Sequence, residues 1–237
     1  ACILICDIAR PVPNGLFLGP MIRRLLAQGL AAEAITVLVA TGLHRPNEGA
    51  ELEELVGDPW VLETVEVANH FARNDADHVD LGRTAKRGTP IRLDRRFVEA
   101  DLRIATGLVE PHFMAGYSGG RKVVAPGIAH EETIRTFHSA RFMEDPAAIQ
   151  CNLAGNPLHQ EQLEIIAMLG GAKAEVDFSK VFRKRAIITG STLRARSAAF
   201  KGKIAAALES RVWPLFEKGN IKPLIHRTVP LENAAEG

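Results

Sequence analysis

Cysteine, tyrosine and tryptophan are scarce in this 237-residue chain, which holds three, one and two of them. Cys2, Cys6 and Cys151 are an odd, scattered set without Cys-x-x-Cys spacing. Neither a disulfide framework nor a thiolate zinc site is indicated, and buried thiols are the expectation. No run approaches the roughly 18 uninterrupted apolar residues of a membrane span, so no membrane partner is expected. The opening Ala1-Cys2-Ile3-Leu4-Ile5-Cys6-Asp7 lacks the basic flank and small-residue cleavage pattern of a signal peptide, which makes a cytoplasmic location the expectation. Gly-x-Gly-x-x-Gly is missing, which argues against a dinucleotide fold. Gly-x-x-x-x-Gly-Lys-Ser/Thr is missing too, which argues against a nucleoside triphosphate site.

What is present suffices for a core: 46% of positions are hydrophobic and 24% charged, enough for one large or two small domains. The net charge of +1 conceals a division. Residues 1–179 carry 17 Lys+Arg against 24 Asp+Glu, and residues 180–237 carry 12 against 4. The basic tail has ordinary helix and strand periodicity without the aromatic and glycine pattern of a recognition module, so no nucleic-acid partner is expected.

Cys2 to Asp7 reads as a strand buried on both faces of a parallel sheet. Pro11, Pro13 and Asn14-Gly15 break the chain, and the spacing of Leu16, Met21, Ile22, Leu25, Leu26 and Leu30 predicts a helix. Ile35 to Ala40 is a second strand, followed by a Glu-rich helix over Asn47–Val56. Val61–Val67, Pro90–Leu93 and Leu102–Leu108 are read as further strands, and Glu131–His138 and Asn156–Leu169 as helices. This alternation predicts an α/β protein: a mostly parallel sheet with flanking helices, plus a short α/β tail segment.

Open parallel sheets bind ligands outside the carboxyl ends of their strands. Three polar clusters fall there: Asp7-x-x-Arg10-Pro11, Thr41-Gly42-Leu43-His44-Arg45-Pro46 and Glu110-Pro111-His112. The last runs into Gly116-Tyr117-Ser118-Gly119-Gly120-Arg121-Lys122, where glycines let backbone N–H groups approach an anion and a lysine can neutralise it or act as a nucleophile. A plain tight turn is the other reading of that loop. Ser118, Gly119 and Gly120 are the candidates for phosphate contact. His44 and His112 follow strand ends, where an imidazole of pKa about 6.5 exchanges protons near neutrality. His138 lies at a helix end. These histidines fit either an acid/base pair or a three-histidine zinc site. Asp7 and Arg10 either orient His44 and clamp a carboxylate, or form a mutual salt bridge.

Taken together, Asp7-Ile8-Ala9-Arg10-Pro11-Val12-Pro13, Ala40 to Pro46, Glu110 to Lys122, Phe137-His138-Ser139 and Gly155-Asn156-Pro157-Leu158-His159 resemble the nickel-pincer lactate racemase family over roughly residues 3–169. The resemblance implies a nickel-pincer nucleotide, a nicotinic-acid-derived mononucleotide bonded to nickel through sulfur, carbon and sulfur. It implies that Lys122 forms the covalent thioamide link, that His138 completes nickel coordination, and that His44 and His112 are acid/base catalysts on opposite faces of a 2-hydroxy acid. Asp7 would position His44, and Arg10 would bind substrate or cofactor. Hydride would shuttle between substrate and cofactor. A soft donor set with one imidazole is consistent with nickel.

Nothing after Gly170 resembles the second domain of that family. Lys184 to Ser197, Val212-Trp213-Pro214-Leu215 and Ile221 to His226 instead resemble the end of zinc-independent quinone oxidoreductases. The expected organisation is a cofactor-binding domain over 1–170, a junction over 171–180 and a tail segment over 181–237. The function expected is a lactate-type racemase or epimerase, impaired by loss of its closing domain. The alternatives are a catalytically silent binding protein and an NADPH-dependent quinone oxidoreductase fragment.

Overall fold

The computed structural model describes residues 1–169, 198–211, 213, 214 and 218. The chain divides into two units, Ala1–Ala174 and Glu175–Gly237.

The first unit is built on a four-stranded parallel sheet in the order β3-β2-β1-β6, with β1 at Cys2–Cys6, β2 at Thr36–Ala40, β3 at Glu66–Asn69 and β6 at Arg103–Ala105. β1 is in register with β2 from Cys2 against Thr36, and with β6 from Cys2 against Arg103. All five residues of β1 are buried, as the unbroken apolar run requires of a central strand covered on both faces. The two-residue period splits that run. Ile3 and Ile5 face Leu18 and Ile22 of helix α1 (Asn14–Ala27) with Leu55, Val56 and Val61. Cys2, Leu4 and Cys6 face Val123, Ile134, Phe137, Leu158 and Ile165. Each fully buried Leu or Ile contributes about 1.5–3 kcal/mol, so these two layers hold the sheet.

Several expectations need correction. Residues 61–67 are not one strand: Pro59–Thr64 is a helix, because the Asp58 carboxylate accepts the Trp60 N–H at 3.1 Å and Pro59 takes the first turn. The strand begins only at Glu66. Pro90–Asp94 (β5) is a strand, but it pairs antiparallel with His78–Arg83 (β4), which has no long apolar run to announce it. Regular pairing of the later strand covers Arg103–Ala105 alone; Thr106 still donates its N–H to Leu4 O at 3.0 Å, and residues 107–110 carry no strand. Cys2 and Cys6 are buried as expected, whereas Cys151 is exposed.

Two further helices start at side-chain caps. Glu131–Phe137 (α6) starts after His130, whose ring nitrogen accepts the Glu132 N–H. Pro157–Met168 (α8) starts after Asn156, whose side-chain oxygen accepts the Leu158 and His159 N–H groups. Arg121–Val124 (α5) is a single turn.

In the second unit the described element is the helix Ala198–Arg211. The expected junction over 171–180 and the tail motifs over 184–197 and 221–226 lie outside the described residues, as do Val212 and Leu215. Among the described residues no helix is long and apolar enough to cross a membrane.

Candidate functional site

β1 has β2 on one side and β6 on the other, so the chain crosses the sheet in opposite directions from the same strand. Such a reversal opens a crevice at the carboxyl ends of the strands. A cavity of about 370 Å³ lies there, lined by Asp7 and Arg10 after β1, His44 after β2, and His112, Lys122 and His138 from the segments after β6. Ser118 and Gly119 also line it. Sequence positions spread over more than a hundred residues therefore share one hollow.

Asp7 and His44 form one unit. The His44 Nδ1 stands 2.5 Å from Asp7 Oδ2, with the carboxylate buried and the imidazole 68% exposed. A carboxylate on Nδ1 fixes the ring and leaves Nε2 to exchange protons. The loop holding His44 is tied by its own N–H to Thr41 O (2.9 Å) and by Gly42 N–H to Gly127 O (2.8 Å). Gly127 belongs there for a steric reason: a Cβ on it would come within 2.1 Å of Val123 O.

Arg10 does not pair with Asp7. Its guanidinium donates from Nη1 to Glu110, a residue that sequence reasoning had placed beside His112 without giving it a role. The only signal was its place in the Glu-Pro-His cluster, which names no partner.

His112 is buried, its Nδ1 accepting the backbone N–H groups of Ala115 (3.2 Å) and Met114 (3.4 Å). Burial, followed by the positive charges of Lys122 and Arg10 and the neighbouring His138, pushes its pKa down to about 4. It is a neutral imidazole at neutral pH, and because Nδ1 accepts, Nε2 bears the proton and is the donor. Phe113, also missed from the sequence, stacks on it at 4.7 Å between ring centroids.

Lys122 lies at the start of α5, and its ammonium makes no hydrogen bond or ion pair to a described residue. Burial, with a smaller contribution from Arg10, pushes its pKa down to about 8. That is the state of an amine able to act as a nucleophile. His138 caps the end of α6, and its Nδ1 donates to Ile134 O at 2.8 Å. The Nε2 lone pair is thereby left for a metal or a proton.

The glycine loop is tied down by its serine. Ser118 Oγ donates to Leu108 O (2.7 Å) and accepts the Glu110 N–H (3.0 Å), so this hydroxyl binds the loop together. Gly119 has φ 71°, and a Cβ there would be 2.8 Å from Leu108 O. Gly120 is not among the lining residues and precedes α5 with φ 49°. Among the described residues no group of three or more His, Cys, Asp or Glu could hold a metal, so the three-histidine zinc reading has no cluster behind it.

The lactate racemase N-terminal domain model matches residues 1–150. The chain is similar to the lactate racemase of Lactiplantibacillus plantarum, at 38% identity over 162 residues, covering 68% of this chain and 37% of that protein. It is similar to the lactate racemase of Thermoanaerobacterium thermosaccharolyticum at 34% over 161 residues, with the same coverage. Among solved structures, the lactate racemase apoprotein from T. thermosaccharolyticum superposes with a TM-score of 0.67 at 32% identity, over 72% of this chain and 40% of that one. A Thermotoga maritima protein gives 0.59 at 25%, over 72% and 44%. The chain thus spans about 37% of the length of these curated relatives.

Proposed function

This chain belongs to the lactate racemase N-terminal domain family, and from that membership we propose that its first unit is the cofactor-holding part of a nickel-dependent 2-hydroxy acid racemase or epimerase. The observation that carries the reading is the convergence of His44, His112, Lys122 and His138 on one hollow. Nickel-pincer nucleotide fits these residues. An unpartnered amine of pKa about 8 suits a covalent thioamide link at Lys122, and an imidazole with its Nδ1 already bonded suits a single metal ligand at His138. When bound, that group supplies the centre that takes up and returns the α-hydrogen of the substrate with its electron pair.

The chain's own residues do the rest. Arg10 keeps guanidinium N–H donors available for a substrate carboxylate or the cofactor. His44 Nε2 takes the substrate hydroxyl proton on one face, with Asp7 across the ring to stabilise the imidazolium. We assign His112 to the opposite face, which a second enantiomer requires because its hydroxyl is presented differently; with Nδ1 accepting backbone N–H groups, its Nε2–H is the proton donor there. Gly119 allows close backbone approach to the nucleotide phosphate. The substrate partner is a small 2-hydroxy acid of the lactate type, and the setting is the cytoplasm.

The test is to load the purified chain with the synthesised cofactor and look for an adduct by mass spectrometry and for D/L-lactate interconversion. An adduct on Lys122 is expected, and interconversion of D- and L-lactate by the loaded chain would support the racemase reading. An adduct on another lysine overturns the assignment. A silent binding protein would hold neither nickel nor cofactor sulfur at stoichiometric level. The domain organisation at 170 and 180, and the likeness of the tail to quinone oxidoreductases, are part of the proposal; NADPH titration tests the alternative of an oxidoreductase fragment, and no binding is expected.

A further inference from the structure

Asp7, Arg10 and His44 line the hollow, with Glu110 beside Arg10, and these two carboxylates and two cationic or ionisable groups can be paired in two ways. Arg10 lies in a turn closed by its own N–H on Asp7 O at 3.1 Å, three residues from the buried Asp7 carboxylate. Yet the guanidinium reaches across to Glu110, and Asp7 is left to His44 Nδ1. Arginine is the stronger competitor for a carboxylate, because it is always charged and its planar fork matches both oxygens. Imidazole carries its charge only when protonated. Something must therefore keep Arg10 off Asp7.

We propose that Glu110 is a positioning residue that holds the Arg10 guanidinium away from Asp7, so that Asp7 stays paired with His44. Glu110 is well placed for this, since its backbone is fixed at both polar groups: its N–H donates to Ser118 Oγ at 3.0 Å, and its carbonyl accepts the Ser118 N–H at 2.9 Å. Ser118 is in turn tied to Leu108 O. The Arg10 guanidinium makes no further bond to a described residue, so its remaining donors stay available to a carboxylate in the hollow. Without Glu110, Arg10 swings onto Asp7 and two groups are lost together: the orienter of His44 and the free fork of Arg10. The consequence for catalysis rests on the proposed racemase reading, whereas the pairing itself does not.

The test reads the His44 ring directly. In the full chain with ¹⁵N-labelled histidine, long-range nitrogen–proton correlation spectra at neutral pH report which ring nitrogen bears the proton, with His44 assigned by His44→Gln. The wild type is expected to carry a proton on Nδ1. Glu110→Gln is expected to move His44 to the Nε2-protonated tautomer, and Glu110→Asp to leave the wild-type pattern. Arg10→Gln in the Glu110→Gln background is expected to restore the Nδ1 proton, a rescue that a merely structural role for Glu110 would not give. An unchanged His44 in Glu110→Gln, or a double variant that fails to restore it, overturns the proposal. No cofactor enters this experiment, so a chain that never takes up nickel would sink the racemase reading and leave this result standing.

Discussion

Lys122 and His112 show how burial sets reactivity at single residues, and both leave a mark on stability. Lys122 is pushed from 10.5 down to about 8, first by burial and then by Arg10. Below about pH 8 the folded chain must charge a buried amine. Between about 8 and 10.5 the unfolded chain holds a proton that the folded one has lost, so stability rises with pH across that window. Lys122→Met is expected to raise stability at neutral pH by an amount on the order of 2–3 kcal/mol and to abolish that rise, measured by urea unfolding at several pH values. Adduct formation at Lys122 should speed up as pH approaches about 8 and then level off, because the neutral amine is the nucleophile. His112 gives the same sign on the acid side. The unfolded chain takes up its proton near pH 6.5 and the folded one only near 4, so stability falls as pH drops through that interval. His112→Gln is expected to flatten that part of the curve.

At the scale of elements, the site depends on a few backbone junctions. Asn156 is fully buried and caps α8 with its oxygen while its amide donates to Met114 O (2.9 Å) and Asn152 O (3.0 Å), so it fastens that helix to the loop carrying His112. Asn156→Ala is expected to cost about 2–3 kcal/mol, more than an ordinary exposed cap, because it strands buried partners as well. Gly127→Ala should be worse for the site than for the fold's distant parts. Its Cβ would strike Val123 O, the backbone between the Lys122 turn and the His44 loop must shift, and Lys122 labelling is expected to slow while far-ultraviolet circular dichroism changes little. Sequence patterning located β1, β2, β5, α1, α6 and α8. It failed at 59–69, where a proline behind a capping aspartate converts an apolar stretch into a helix, and at β4, whose residues are largely exposed and polar.

For the molecule as a whole, both buried cores draw on residues no later than Leu169 among those described. A chain ending at Ala174 is therefore expected to unfold cooperatively and to keep Lys122 labelling, with thermal unfolding and peptide mapping as the checks. The acidic balance of residues 1–179 does not describe the hollow itself, which gathers Arg10, Lys122 and three histidines around Asp7. The anionic 2-hydroxy acid of the proposed function would meet local positive charge on a body that is negative overall.

The sequence by itself determined the parallel sheet, through an apolar run at Cys2–Cys6 that only a doubly covered strand accommodates. It also determined which loops line the hollow, since strand ends in such a sheet open on one side. The polar types in those loops were equally legible: histidines, a lysine among glycines, an aspartate and an arginine. Only the tertiary structure decided the pairing. Asp7 against His44, and Glu110 against Arg10 across a hundred residues, are choices among nearby charges that one-dimensional spacing leaves equivalent. The tautomers of His112 and His138, and the depressed amine of Lys122, likewise come from neighbours brought in by folding. Protonation follows burial and hydrogen-bond direction, which exist only once the chain has closed on itself.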